Sequence, residues 1–354
     1  EEVNANLYPK ETNDHLYEVY CISLSTGDVL WKQTAHTGIP PKPHHIKNTL
    51  ASETATTDGE HVYAMFGNVG IFCYDMDGNL VWERPIKPRE MQLGWGTSIS
   101  PILHGDRIYI VNDNEEDSYI EALDKKTGEE IWRTDRDAPS NFSTPFVWEN
   151  ELRTEIVTSG RLFARSYDLD GKELWRVEAK SPVAVPRPFA MHGLVYLCTG
   201  HVAWGENRTY AVLPGASGDI TPYNDDNVSQ YIKWWNEQGS YHPTPLVVGD
   251  RFYMLLDRGF MLCYYAKTGE EVFKKRRISG GKGFTSSPWS YDGKIFAINE
   301  EGTTFVWTAD DEFELLHKNT LADGDKGMAT PVVIGDKLLI RTSASLYCVD
   351  DDAS

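Results

Sequence analysis

Short stretches of alternating apolar and polar residues recur along the chain, each closed by a turn that contains glycine. That period-two pattern predicts strands, because side chains one apart on a strand point to opposite faces. One unit is complete between 97 and 133. Strand 97–103 ends in a His-Gly-Asp turn, strand 107–112 puts Ile108 and Ile110 on one side, and strand 119–123 follows. The turn Lys125-Lys126-Thr127-Gly128 then leads into strand 130–133. Asp124 is placed to accept backbone N–H groups in that turn, and Gly128 supplies a left-handed conformation at little steric cost. Trp132 lays a large apolar face on the last strand.

The unit repeats. A turn glycine is followed four residues later by an aromatic at Gly27…Trp31, Gly78…Trp82, Gly128…Trp132, Gly171…Trp175 and Gly269…Phe273. Successive glycines lie 51, 50, 43 and 98 residues apart, the last step being roughly two periods. Four antiparallel strands per repeat predict an all-β propeller. Further blades are expected at 52–84, 141–178, 242–275 and 284–318, with Leu316 where the last should carry tryptophan. The blade that begins near Val185 carries an insertion over 205–227 and an outer strand at 231–235, with Trp234 as the counterpart of the repeat aromatic. Stretches 2–8, 16–23 and 28–32 read as strands two to four of one blade, and 329–334, 337–341 and 346–350 as strands one to three of another. Six whole and two partial blades favour an eight-bladed propeller in one domain over 1–354, with a missing N-terminal segment completing the ring. The alternative is seven blades, the two ends sharing one.

The pattern Ala122-x-Asp124-x-x-Thr127-Gly128-x-x-x-Trp132 resembles the tryptophan-docking motif of the quinoprotein-like (PQQ-like) propeller family. Cys21–Trp31 and Cys263–Phe273 are close variants, while Cys73–Trp82 and Ser166–Trp175 are one residue shorter. The resemblance covers nearly the whole chain and is similar to the short BamB-like members. It implies blades locked by Trp31, Trp82, Trp132, Trp175, Trp234 and Phe273. It also implies a periplasmic or secreted bacterial protein. Some members are dehydrogenases that hold pyrroloquinoline quinone (PQQ) and calcium over the channel; others are scaffolds without a cofactor. The dehydrogenases often carry adjacent cysteines against the quinone, and this chain has none.

Composition narrows the partners. The net charge of −19 repels phosphate backbones, so nucleic acid is not expected. No run of about 18 apolar residues predicts a membrane span, and no basic-then-apolar leader opens the sequence. Four of the five cysteines, Cys21, Cys73, Cys263 and Cys348, hold the same place in the repeat. Equivalent places in different blades lie beyond the ~7 Å disulfide limit, so these and Cys198 read as small buried hydrophobes.

Candidate chemistry lies on one end of the blades. Turns between strands three and four are near copies of each other, as a structural turn requires. Loops leading into strand one, and those joining strands two and three, are irregular, and loops on a rigid scaffold commonly carry binding groups. The leading loops supply His44, His45, Lys47, Asn48, Trp95, Asn141, Arg187, Tyr241, His242, Lys282, Phe284 and Lys326; the middle loops supply 112–117, His201, Trp204, Asp257, Arg258, Glu300 and Glu301. As ligand-binding residues we single out His44, Lys47, Asn48, Trp95, Arg187, His242, Arg258 and Lys282. Histidine titrates near neutral pH, so His45 and His242 with Arg187 are the candidate catalytic set, set against solvated loop residues. Asn112, Asn114, Glu115 and Asp117 offer the oxygens calcium prefers but lack EF-hand spacing, so an acidic turn is the competing reading. Asn141-Phe-Ser143, Asn207-Arg-Thr209 and Asn227-Val-Ser229 match the glycosylation pattern, which carries no weight for a bacterial protein.

No nucleophile elbow, zinc-helix motif or phosphate loop occurs. The expected function is a non-redox binding or scaffold propeller holding a protein segment or extracellular glycan on the irregular face. The alternative is an enzyme, either a PQQ-dependent dehydrogenase or a carbohydrate-cleaving propeller.

Overall fold

The computed structural model describes residues 11–201, 205–223, 228–322 and 324–350. The expected strand 2–8, Trp204 and part of the 205–227 insertion lie outside them. The chain divides into two compact units.

The first unit holds residues up to Ala179 and the short piece Ser217–Asp219. It opens with the hairpin β1 (His15–Ile22) and β2 (Val29–Gly38). Three sheets follow: β3 (Thr56–Thr57), β4 (His61–Phe66), β5 (Gly70–Asp75) and β6 (Leu80–Pro85); β7 (Ile102–His104), β8 (Arg107–Asn112), β9 (Tyr119–Asp124) and β10 (Glu130–Asp135); and β11 (Phe146–Glu149), β12 (Thr154–Thr158), β13 (Phe163–Tyr167) and β14 (Glu173–Glu178). In each sheet these four strands form an antiparallel meander in chain order. The middle strands β4, β5, β8 and β9 are buried almost throughout, while β6 and β10 alternate. A strand covered on both faces reads as continuous apolar sequence, and an outermost strand does not. The core is therefore the stack between sheets, as where Tyr63, Met65, Ile71 and Cys73 pack on Ile108, Ile110 and Leu123.

The repeat aromatics seat on the turn of the following sheet. Trp31, Trp82 and Trp132 donate from Nε1 to the carbonyls of Met76, Lys125 and Leu169 at 2.8, 3.0 and 2.9 Å. Each indole lies over the turn glycine. A Cβ built on Gly128 would stand 2.6 Å from the Trp82 ring, and φ there is +73°. Gly27 also has positive φ, at +78°, but a Cβ there would meet nothing within 4 Å. Trp175 differs: fully buried, it donates to the Glu155 carboxylate of its own sheet at 2.7 Å.

The second unit holds Lys180–Ala216 and residues from Ile220 on. Its first sheet is β15 (Phe189–Met191), β16 (Leu194–Thr199), β17 (Arg208–Val212) and β19 (Ile232–Asn236). Part of the insertion between β17 and β19 forms β18 (Gly218–Asp219), which belongs to the first unit and pairs in parallel with β14. Next come β20 (Leu246–Val248), β21 (Arg251–Leu256), β22 (Phe260–Tyr265) and β23 (Glu271–Arg277), then β24 (Trp289–Tyr291), β25 (Lys294–Ile298), β26 (Thr303–Thr308) and β27 (Leu315–Thr320). The last sheet has three strands: β28 (Val332–Ile334), β29 (Lys337–Arg341) and β30 (Leu346–Val349). Trp234 repeats the seating seen in the first unit, donating to Ala266 O at 2.7 Å above Gly269. Phe273 has no N–H to donate and packs on Phe313, ring centres 5.5 Å apart.

The eight-blade expectation is corrected. Among the described residues six sheets carry the four-strand run and β28–β30 make a seventh blade of three strands, while β1–β2 remain a hairpin rather than a blade. Seven is the alternative count; among the described residues β1–β2 and β28–β30 are assigned to separate sheets. The cysteine expectation is also corrected in part. Cys73, Cys198 and Cys263 are buried, and burial pushes the Cys73 and Cys263 thiols up to about 12. Cys21 is half-buried and Cys348 exposed, because both stand in the incomplete sheets. Among the described residues no helix is long and apolar enough to cross a membrane.

Candidate functional site

In the first unit the leading loop of β3 is braced against the loop before β7. Asn48 Nδ2 donates to Trp95 O and Thr97 O at 3.1 and 3.0 Å, and Asn48 Oδ1 accepts Leu50 N at 2.9 Å. His44 is buried; its Nδ1 lies 2.8 Å from Asn48 O and its Nε2 3.3 Å from Glu11 Oε1. A carbonyl only accepts, so Nδ1 carries the hydrogen. His45 Nδ1 accepts Lys47 N at 3.1 Å, and His45 N donates to Trp95 O at 3.3 Å. Trp95 packs against Phe142 at 5.7 Å. Gly96 is obligatory here: φ is +82°, and a Cβ would stand 2.7 Å from Asn48 Nδ2. His44 and Asn48 are therefore occupied in holding the loops together.

The acidic turn is likewise committed to protein partners. Asn114 Oδ1 accepts Glu116 N and Asp117 N, both at 2.8 Å, and its Nδ2 donates to Asn112 O at 3.0 Å. Asp117 forms a two-bond pair with Arg89, which holds its carboxyl below the usual range. Glu115 accepts Ser140 N at 3.1 Å and Arg161 Nη1 at 3.3 Å. Behind the turn, Arg136 and Asp113 are completely buried and joined at 2.7 and 3.0 Å. A cleft of about 620 Å³ opens between residues 114–118 and 133–139.

Two further carboxyls of this unit have opposite settings. Glu155 is fully buried and accepts from Trp175 Nε1, Ser166 Oγ, Arg153 Nε and Asn150 Nδ2 at 2.7, 2.5, 2.8 and 3.1 Å. Glu53 Oε1 accepts Gly67 N at 3.2 Å, but its buried Oε2 has no hydrogen-bond partner. Burial pushes the Glu53 carboxyl up, against the opposing hydrogen bond from Thr97. Gly67 and Thr97 also line a void of about 20 Å³, room for one water.

The second unit brings Arg187, His201, Tyr241, His242 and Arg258 into one region. The Tyr241 ring lies 4.7 Å edge-on from His201 and 3.7 Å from His242. Burial and the Arg258 charge both hold His201 below the ordinary histidine range, so it is neutral at pH 7. Arg187 N donates to Thr244 Oγ1 at 3.0 Å, which sets Arg187 beside the His242 loop. The Arg187 side chain is accessible, yet enough protein surrounds it that desolvation lowers its pKa. Lys282 stands apart in an exposed pair with Glu301 at 3.4 Å. Of the expected catalytic set, Arg187 and His242 share this unit, and His45 belongs to the first.

The bond from Arg187 N belongs to a pattern absent from the expectations. Thr54 N donates to Ser100 Oγ and Ser100 N to Thr144 Oγ1, at 2.8 and 3.1 Å. In the second unit Thr244 N donates to Ser287 Oγ and Ser287 N to Thr330 Oγ1, at 2.9 and 3.0 Å. Ser100, Thr144, Thr244, Ser287 and Thr330 each precede a proline. The signal was a Ser/Thr-Pro dipeptide recurring every 43 or 44 residues at 100–144 and 244–287–330. Proline fixes an extended start for the inner strand, and the hydroxyl satisfies the previous blade's amide. Arg187 also precedes a proline, so arginine stands at the repeat position where the others carry a hydroxyl.

The calcium candidate at 112–117 is already committed to protein partners. Among the described residues no three His, Cys, Asp or Glu converge. Trp95, the ring suited to stack on a quinone, is packed on Phe142.

Comparison with known proteins follows the fold. The crystal structure of BamB from Moraxella catarrhalis superposes with a TM-score of 0.65 at 11% identity, covering 91% of this chain and 88% of that one. A europium-containing methanol dehydrogenase matches at TM-score 0.51 and 10% identity, covering 94% and 80%. At such identities the likeness is one of fold alone. The outer membrane protein assembly factor BamB of Burkholderia pseudomallei (strain K96243) is 30% identical over 102 residues, 29% of this chain. The match spans a quarter of that relative's length. The family model described as outer membrane protein assembly factor BamB matches residues 16–150 and 116–353. Four-stranded blades, seated aromatics and this match over most of the sequence agree: the chain belongs to the BamB-type family of PQQ-like β-propellers.

Proposed function

We propose that this chain is a non-redox scaffold propeller of the bacterial periplasm or secreted space, holding an extended protein segment on its irregular loop face. Residues 1–354 act as one domain in this reading, and Trp31, Trp82, Trp132 and Trp234 serve as the family's docking tryptophans. One observation carries it: Arg187 replaces the hydroxyl of the inner-strand pattern beside the Tyr241–His242–His201 ring cluster. A charged guanidinium next to a cluster of rings suits a segment that offers a carboxylate and an apolar or aromatic side chain. The protein choice is favoured over a glycan by the family itself, whose described role is protein assembly.

The test is a matched pair of arrays, extended 15-residue peptides and glycans, probed with the native protein and with Arg187→Ala and Tyr241→Ala. The expected result is peptide signal that both variants lose and no glycan signal. Glycan signal with the same sensitivity would replace the partner class. Reduction of a dye on adding quinone and calcium would replace the scaffold reading with the dehydrogenase one.

A further inference from the structure

Most outer strands of this protein carry a single lysine or arginine: Lys32 on β2, Arg84 on β6, Arg133 on β10, Arg176 on β14, Lys233 on β19 and Lys318 on β27. One charge is enough to discourage edge-to-edge association. The outer strand β23 instead carries four in succession, Lys274, Lys275, Arg276 and Arg277, in a chain whose net charge is −19. Arg276 turns to the Glu312 carbonyl and the Phe273 ring. Lys274, Lys275 and Arg277 are exposed, and none has an ion-pair partner among the described residues. Lys275 and Arg277 sit 5.0 and 4.9 Å over the Phe260 ring, which fixes their stems along the edge. Nothing described pairs with the free side of β23.

The same molecule contains a filled version of this arrangement. On β14 the free side is taken by β18, with Trp175 opposite Gly218 and Arg176 opposite Asp219. Arg176 Nε and Asp219 Oδ2 are 3.3 Å apart. The cation therefore follows the repeat aromatic directly, and the incoming strand brings a carboxylate to meet it. Lys274 follows the repeat aromatic Phe273 in the same way. We propose that β23 receives an acidic, extended segment of a partner protein as an added strand. Ladder bonds to the β23 backbone supply affinity, and carboxylates opposite Lys274, Lys275 and Arg277 supply choice of partner. This surface is separate from the Arg187 region, and the proposal does not rest on that region's function.

The probe is a fluorescein-labelled nine-residue peptide of Val and Thr carrying two adjacent Asp residues and a third two positions further on, followed by fluorescence anisotropy against the whole chain. Controls are the same peptide N-methylated at alternate amides, poly-glutamate, and phosphatidylglycerol vesicles. Expected are saturable peptide binding and a loss of about tenfold between 50 and 300 mM NaCl. The N-methylated peptide binds at least tenfold more weakly because its blocked amides cannot donate to the ladder; poly-glutamate also binds more weakly, because self-repulsion and the low strand propensity of glutamate oppose an extended ladder. The Lys274→Glu/Lys275→Glu/Arg277→Glu variant also loses at least tenfold. The corresponding triple glutamine variant gives an intermediate loss and covers the case in which the glutamate variant does not fold. Amide exchange on 273–277 slows when the peptide is bound. Equal binding of the N-methylated peptide, or an unchanged affinity in the glutamine variant, overturns the proposal. So does vesicle binding that depends on Lys274 without any peptide binding, which would make the partner a lipid surface.

Discussion

Trp132 and Trp175 stand at the same place in consecutive repeats and are used differently. Trp132 reaches out of its sheet to Leu169 O and covers Gly171, so the indole joins two blades. Trp175 turns to Glu155 in its own sheet and is sealed from solvent, with β18 added alongside. A repeated residue thus fixes where a large apolar face lies, while its neighbour decides where the N–H goes. An indole seated on a carbonyl loses one modest bond if disturbed; an indole bonded to a buried carboxylate is part of a network that fails together.

The largest expected effect breaks that second network. Glu155→Ala leaves the Trp175 and Ser166 donors buried without an acceptor, and urea unfolding should show a loss of about 3 kcal/mol or more. Glu155→Gln retains one acceptor and should recover part of it; equal losses would mean that the bonds to Trp175 and Ser166 contribute little.

Next is the seat of the first kind. Gly128→Ala combines positive φ with a Cβ 2.6 Å from the Trp82 ring, whereas Gly27→Ala has only the backbone cost. Chemical denaturation should give about 2–3 kcal/mol for the former and about 1 kcal/mol for the latter. Equal values would mean that the indole contact is loose.

Glu53 sharpens the contrast between satisfied and unsatisfied carboxyls. Its folded pKa is raised, so its contribution is fully present below the unfolded value and is lost as pH rises through the folded one. Glu53→Gln should therefore unfold at higher denaturant than the native chain at pH 7, with the gap closing toward pH 4. A gap that widened on acidification would reverse the assigned direction. The smallest effect belongs to Lys282→Ala, since its pair with Glu301 is solvated on both sides; the melting temperature should not move measurably.

Much of the fold was legible because glycine and tryptophan leave their marks locally. Gly78, Gly128 and Gly171 announce turns, and the aromatic four residues on announces what covers the next one. The blade count was not legible, since whether 15–38 makes a blade or a hairpin depends on pairing between distant segments. The candidate site was read less well. His44, Asn48 and Asn114 have the right chemistry for ligands, but their partners are backbone groups brought close only by folding. Tyr241 and His201 meet across two loops forty residues apart in sequence, a pairing that no local pattern encodes.

The Ser/Thr-Pro pattern has a consequence for how such chains change length. Its donor and its acceptor occupy the same register position in successive modules, so any module can follow any other that keeps the dipeptide. Duplicating or deleting one whole module transfers the bond intact to a new neighbour, as from Ser287 to Thr330, whereas a cut inside a module strands an amide at the inner rim. Growth by whole repeats therefore costs no hydrogen bond at the innermost strand, and Arg187, which keeps the donor half of the pattern through Thr244 but has no hydroxyl to accept, is the place where modules are not interchangeable.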